Sequence, residues 1–177
     1  TRAGIELERN HLHSVCVVGH VTMDVLRFPG RDDKSMLGGV VYYAGRAFER
    51  LGVDTAIITK AAKEDLDELT KRFRGNSVTV HRRDSERTTV FENQYLGLDL
   101  HIRRQEIGSI ANAFEFRDLA QVTAKWFFLG PLTRAEMSPE FLRAVSKRCE
   151  RVFLDVQGFV RKVECREVRL FDWLEKR

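Results

Sequence analysis

An α/β fold, three-layered with a mainly parallel sheet and a small antiparallel β lid, is predicted by three observations on this 177-residue chain. First, strand-like and helix-like patterns alternate (strand at 55–59, helix at 64–73, strand at 77–81), the rhythm of parallel strands joined by crossover helices. Second, residues 88–95 and 98–103 change texture. Leu98, Leu100 and Ile102 alternate, as in a two-stranded antiparallel ribbon with one covered face, turned at Gly97-Leu98-Asp99. Third, 43% apolar residues, 12 of them Phe, supply a core. A domain of this size buries roughly 70% of its unfolded surface.

In chain order, residues 1–13 show no periodicity and are expected to be a late-ordering leader. Val15-Cys16-Val17-Val18-Gly19 reads as a buried strand. Residues 23–29 alternate more loosely, Pro29-Gly30-Arg31-Asp32-Asp33 is a turn, and a short strand comes next at 35–37. A helix over 40–51 places Val40, Ala44, Ala47, Phe48 and Leu51 on one face, with Gly52 as its stop. After the ribbon the rhythm resumes with a strand at 126–129, a helix at 139–148 and a strand at 151–156. Ser138 suits the N-cap of that helix and Pro139 its first turn. Residues 168–175, amphipathic through Val168, Phe171 and Leu174, read as helical. Two parts emerge: an α/β core of 14–22 with 38–87 and 106–177, and a lid of 23–37 with 88–105.

A net charge of +4 and a pI near 9.1 raise the question of nucleic acid. The basic clusters Lys71-Arg72-Phe73-Arg74, His81-Arg82-Arg83 and Arg103-Arg104 are interleaved with acids such as Asp84, Glu86 and Glu106, and no aromatic–basic stacking pattern accompanies them. They read as solvated faces that could also attract a phosphorylated ligand, so no nucleic-acid partner is expected. No apolar run approaches the ~20 residues of a membrane span. Cys16, Cys149 and Cys165 have no metal or redox spacing, no metal ligands are assigned, and a reducing, cytoplasmic setting is expected. Gly19-His20-Val21 lacks the further glycines of a dinucleotide-binding turn.

The most informative stretch is Gly38-Gly39-Val40-Val41-Tyr42-Tyr43-Ala44, closed fourteen residues after Gly38 by Gly52. Adjacent glycines at a helix start leave backbone N–H groups and the positive dipole end open to a cleft. Asp24 lies fourteen residues upstream, just past the first strand. An ionised carboxylate accepts two hydroxyl hydrogen bonds, so Asp24, Gly38 and Gly39 are candidate holders of a polyhydroxylated ligand. Tyr42 and Tyr43 are split by helical geometry, so one at most faces the ligand; Tyr42 is the candidate. On the ribbon, Glu92 and Gln94 alternate with Phe91 and Tyr95, and one pair should face the cleft; Glu92 and Gln94 are the candidates. Asp155 and Arg161 flank Gly158 past a strand end, and Arg161 could clamp a phosphate or a hydroxyl. His20 reads as a structural or ligand-edge residue.

These residues resemble the ribokinase-like, phosphofructokinase-B-type carbohydrate kinase family. The matching elements are Gly19-His20-Val21-Thr22-Met23-Asp24, the Gly38-Gly39 helix start with Leu51-Gly52, the ribbon, and Phe153-Leu154-Asp155-Val156-Gln157-Gly158-Phe159-Val160-Arg161. Within the family, the paired tyrosines, Thr88-Thr89 with Glu92, and Asp155-Val156-Gln157-Gly158-Phe159 are most similar to archaeal inositol-kinase-like members. The resemblance implies transfer of the ATP γ-phosphoryl group, with Mg2+, to a hydroxyl of a sugar or inositol. Members are about twice as long, and their C-terminal half carries a Gly-Ala-Gly-Asp element with the anion hole and catalytic aspartate, which this sequence lacks. The implied reading is a substrate-binding portion that stops before the C-terminal ATP-binding half, with its catalytic Asp beyond Arg177 and no turnover of its own. Tyr42 stands where many members have Asn, and Pro131-Leu132 where some have a sugar-binding Glu. The alternatives are a nucleoside kinase of the same family, or a non-catalytic module forming homodimers through the lid.

Overall fold

The computed structural model describes residues 11–97 and 102–170. β1 (Leu12–Val18) lies at the centre of a five-stranded parallel sheet. On one side are β4 (Thr55–Ala61) and then β5 (Val78–Asp84), and on the other β8 (Thr123–Leu129) and then β9 (Arg151–Leu154). Its central strands carry unbroken apolar runs, residues 15–18 on β1, 56–58 on β4 and 126–129 on β8, because both faces are covered. On one face, Val17 and Ile57 pack with Val41 of α1 (Val40–Arg50) and with Leu66 and Leu69 of α2 (Lys63–Arg72). On the other, Cys16, Val18, Phe127 and Leu129 meet Phe141 and Val145 of α3 (Pro139–Ser146), together with Phe114, Leu119 and Met137. The result is the expected three-layer α/β arrangement. Ser138 caps α3 as expected, its hydroxyl accepting the Phe141 N–H at 3.2 Å.

Within α1 the buried face differs from the expected one. Val41 and Gly45 are buried while Ala47 and Leu51 are not. The reason is Gly45: a Cβ there would lie 2.6 Å from Ile57 Cδ1 and 2.8 Å from Phe73 Cζ, so the bare backbone lets the helix sit directly on β4. At the start of the described chain, residues 12 and 13, expected in the leader, already belong to β1. His11 and His13 are tied to Asp54, at 2.8 Å and 2.9 Å.

The second sheet has six strands, in the order β10 (Arg161–Glu164), β11 (Glu167–Leu170), β7 (Arg103–Ser109), β6 (Thr89–Tyr95), β2 (Thr22–Arg27) and β3 (Lys34–Gly38). It is mixed rather than antiparallel, because β2 pairs with β6 in parallel. Both leave the parallel sheet through short links, from β1 and β5 respectively, and so keep their common direction. Two further expectations are corrected here. The ribbon's second strand is Arg103–Ser109 rather than 98–103; residues 98–101, and with them most of the expected turn, lie outside the described residues. Residues 161–170, expected in the α/β core with a helix from 168, form a hairpin on the second sheet. Its two-residue turn places Cys165 (φ 46°) and Arg166 (φ 75°) in the left-handed region. Arg166 is held there by its carbonyl, which accepts the Ile107 N–H at 2.8 Å, and by its guanidinium, which donates to Glu92 at 2.9 Å. The remainder of the expected helix, 171–175, lies outside the described residues.

The basic clusters largely engage their own surroundings. Arg72 pairs with Glu68 at 2.5 Å, Arg82 with Asp67 at 2.7 Å and Arg104 with Glu106 at 3.1 Å. Arg83 donates to the carbonyls of Asp118 and Ala120. Among the described residues no helix is long and apolar enough to cross a membrane.

Candidate functional site

A cleft of about 510 Å³ opens between the inner face of the mixed sheet and the N-terminal turn of α1. It lies past the C-terminal ends of the parallel strands, where α/β sheets hold their ligands. Strand alternation decides what faces it. From β2, Thr22 and Asp24 point in, while Met23 packs on the core. From β6, Phe91 and Asn93 point in; their partners on β7 are Ile107 and Gln105, and Gln105 also lines the cleft. Arg103, Leu132, Gln157 and Arg161 complete the polar and apolar walls.

The glycine pair performs two different tasks. Gly39 has φ 86°, a left-handed conformation that side chains rarely adopt, and it opens α1 without any side-chain cap. Gly38 pairs with Thr22 across the β2–β3 ladder, and a Cβ there would stand 2.5 Å from Asp24 Oδ2 and 2.8 Å from Thr22 Oγ1. The missing side chain is the space the carboxylate occupies. Thr22 Oγ1 donates to Asp24 Oδ1 at 2.8 Å, which fixes one oxygen and leaves the other available. Burial pushes the Asp24 carboxyl up from its ordinary value, opposed by the Thr22 hydrogen bond and by the positive charges of Arg103 and Arg161. Burial in turn lowers Arg161, with the charge of Arg103 acting in the same direction. The Arg161 guanidinium lies 5.8 Å from the centroid of the Phe91 ring, a cation–π contact that orients it.

Amide side chains supply the neutral polar groups. Gln105 Nε2 donates to Asn93 Oδ1 at 2.8 Å, and the pair keeps a donor and an acceptor for a ligand. Gln157 sits in a 3-10 turn over Val156–Val160, and its N–H is accepted by Asp155 Oδ1 at 2.9 Å.

The wall at Leu132 rests on a buried acid. Glu136 accepts the Leu132 N–H at 3.1 Å and the Thr133 N–H at 2.9 Å. Burial pushes its carboxyl up to about 7 against those bonds. His20 lies 3.5 Å from it, equally enclosed, and burial holds that imidazole down to about 4. His20 Nε2 donates to the Asn112 carbonyl at 3.0 Å, so Nδ1 accepts from Thr89 Oγ1, also at 3.0 Å.

Of the residues singled out from sequence, Asp24, Gly39 and Arg161 line the cleft and Gly38 backs Asp24. Tyr42 does not line it: it packs on the core cluster around Val41, while Tyr43, 55% exposed, faces the cleft. Glu92 and Gln94 are on the far face of β6. Glu92 there accepts from Arg27 at 2.6 Å and from Arg166 at 2.9 Å, and Gln94 is exposed. Asp155 is a capping residue and His20 a buried one. Asn93, Gln105, Gln157 and Arg103 escaped sequence reasoning. For Asn93 the signal was present, since an apolar Phe91 two residues away marks the covered face. The others depend on which strand becomes its neighbour. Among the described residues, the trio of groups placed to ligate a metal, His11, His13 and Asp54, lies outside this cleft.

No protein-family model matches the sequence, and no curated protein is a significant match. Solved structures do match. One is a pyrophosphate-dependent kinase in the ribokinase family, solved as a sulfate complex, with 31% identity and a TM-score of 0.82 over 92% of this chain and 57% of that one. Another is a pyrophosphate-dependent kinase in the ribokinase family complexed with a pyrophosphate analog and myo-inositol, with 30% identity and a TM-score of 0.80 over 92% and 56%. Arabidopsis thaliana ribokinase, complexed with ribose and ATP, is 18% identical with a TM-score of 0.59 over 84% and 55%, a likeness of fold. The chain spans a little over half the length of these structures.

Proposed function

From a chain that belongs to the ribokinase-like carbohydrate kinase family, we propose that the whole protein transfers a phosphoryl group to a hydroxyl of a cyclic polyol, inositol foremost, and that this chain supplies the acceptor cleft. The observation carrying this reading is that Asp24 and the Gly39 backbone meet across one hollow, with the Asn93–Gln105 amide pair opposite. Such a set can hold several hydroxyls in defined orientations, and positioning together with charge stabilisation is most of what phosphoryl transfer requires of a protein. The mixed sheet, by covering the cleft, would exclude water as a competing acceptor. The similarity to a kinase complexed with myo-inositol supports inositol over ribose or a nucleoside.

For the donor, the family resemblance points to ATP with Mg2+, whereas relatives near 30% identity are pyrophosphate-dependent. Both donors would engage groups outside this chain. The 177-residue chain alone is therefore expected to show no acceptor-dependent consumption of either donor, measured by product release from ATP and from pyrophosphate in parallel. It should nevertheless bind. Isothermal titration with myo-inositol is expected to give saturable binding that Asp24→Ala weakens about 10- to 100-fold, the range for losing charge-assisted hydrogen bonds. Equal heats from the wild type and the variant would end the proposal. A homodimer through the mixed sheet is the second reading. It is supported by β3, which ends the sheet with Lys34, Ser35 and Met36 exposed. The three thiols of the chain are unpaired, which supports a cytoplasmic setting.

A further inference from the structure

At the other end of the parallel sheet, two imidazoles and a carboxylate converge. His11 and His13 alternate across the entry to β1, so both reach the same neighbour, Asp54, which immediately precedes β4. His11 Nε2 lies 2.8 Å from Asp54 Oδ2 and His13 Nδ1 lies 2.9 Å from Oδ1. The donor atoms of all three groups fall within 4.8 Å of one another. A second observation concerns the layer behind them. The His81 ring stands edge-on to His13 with centroids 6.0 Å apart, and its Nε2 is enclosed without a hydrogen-bond partner among the described residues.

We propose that His11 Nε2, His13 Nδ1 and an Asp54 oxygen form a binding site for a divalent transition-metal ion of borderline character, Zn2+ above all. Two imidazole nitrogens and one carboxylate oxygen are the donor set such ions take, with water completing a tetrahedron. On binding, each neutral imidazole gives its lone pair to the ion and carries its remaining proton on the opposite ring nitrogen; the two N–H···O bonds to Asp54 are exchanged for metal–ligand bonds. His13 is deeply buried and packs in place, whereas the His11 side chain is 68% exposed, so the ion has an approach from solvent. The site would staple the start of β1 to the entry of β4. It stands apart from the acceptor cleft, so it does not depend on the functional reading above.

The test is titration of the untagged 177-residue chain with Zn2+ by calorimetry, and with Co2+ by visible absorption. The expected result is one ion per chain, an absorption band of tetrahedral Co2+, and a rise in melting temperature with added Zn2+. His11→Ala should weaken binding by at least about tenfold, and Asp54→Asn likewise, as loss of one ligand in three requires. His11→Ala removes an exposed side chain, so its fold is expected to be intact, and circular dichroism verifies it. No saturable binding at millimolar Zn2+, or binding unchanged in folded His11→Ala, overturns the site.

Discussion

Asp24 owes its place to a residue with no side chain. Because a Cβ at Gly38 would stand 2.5 Å from Asp24 Oδ2, Gly38→Ala must displace the carboxylate or shift the β2–β3 ladder. The Gly38 backbone is otherwise ordinary for alanine, as its φ is not in the left-handed region. We therefore expect Gly38→Ala to fold and to weaken myo-inositol binding about tenfold, with calorimetry as the readout. Gly39→Ala differs in what it meets: at φ 86° the left-handed backbone alone costs about 1 kcal/mol, and the added Cβ would also press on the rigid His20 carbonyl, so the loss appears first in the melting temperature. The direction of the Asp24 shift also has a consequence. Burial raises its carboxyl, so the ionised acceptor form is lost at a higher pH than for a free aspartate. Polyol affinity should then fall as pH falls, beginning at a higher pH than a free aspartate would give, and a titration series from about pH 7 down to about pH 4 would reveal a flat profile if Asp24 were not the acceptor.

At the scale of elements, the segment from β8 to α3 stands on a buried polar cluster. His20 is held neutral by burial, with its protonation pushed down to about 4. For a group whose folded value lies below the unfolded one, the unfolded chain binds the extra proton. Stability is then full above about pH 6.5 and is lost as pH falls toward about 4, by about 3 kcal/mol in the limit. Glu136 works in the opposite sense. Its carboxyl is raised by burial to about 7, so its contribution is full below about pH 4.5 and is lost as pH rises through about 7. The two slopes oppose each other in the wild type. Denaturant melts of His20→Gln and Glu136→Gln from about pH 4 to about pH 8 should separate them: the first variant becomes less acid-sensitive than the wild type, and the second less alkali-sensitive. Glu136→Gln also gives up one acceptor for the Leu132 and Thr133 N–H groups, at about 1–3 kcal/mol.

Across the whole molecule, long-range ties hold the layers in register. Lys60, on β4, reaches Asp118 at 2.7 Å and the Ala113 carbonyl at 2.8 Å, with both ion-pair partners almost fully buried. Breaking such a pair leaves an uncompensated charge in the interior. Lys60→Met should cost about 3–5 kcal/mol in chemical unfolding, and adding Asp118→Asn should recover part of that. β9 forms one edge of the parallel sheet, and beside it Trp126 and Phe153 meet edge-to-face with nearly half of each exposed.

Local chemistry was enough to read the parallel α/β rhythm, the capped start of α3 at Ser138, and the joint position of Asp24, Gly39 and Arg161 at one end of the sheet. Each of these depends on periodicity, on a capping side chain or on the residue types just past a strand end, and all are properties of a few neighbouring residues. The hairpin at 161–170 was not legible. Cys165 and Arg166 adopt left-handed conformations without the asparagine or glycine that normally announces such a turn, and Arg166 is secured by β7 and Glu92, residues some sixty to seventy positions away. Tyr43 rather than Tyr42 faces the cleft because Gly45 rolls α1 onto Ile57 and Phe73. Asn93 and Gln105 become a ligand-facing pair only once β6 and β7 are in register. Alternation within a strand is written in the sequence, but which face is inward is chosen by what packs against it, and that choice belongs to the tertiary structure.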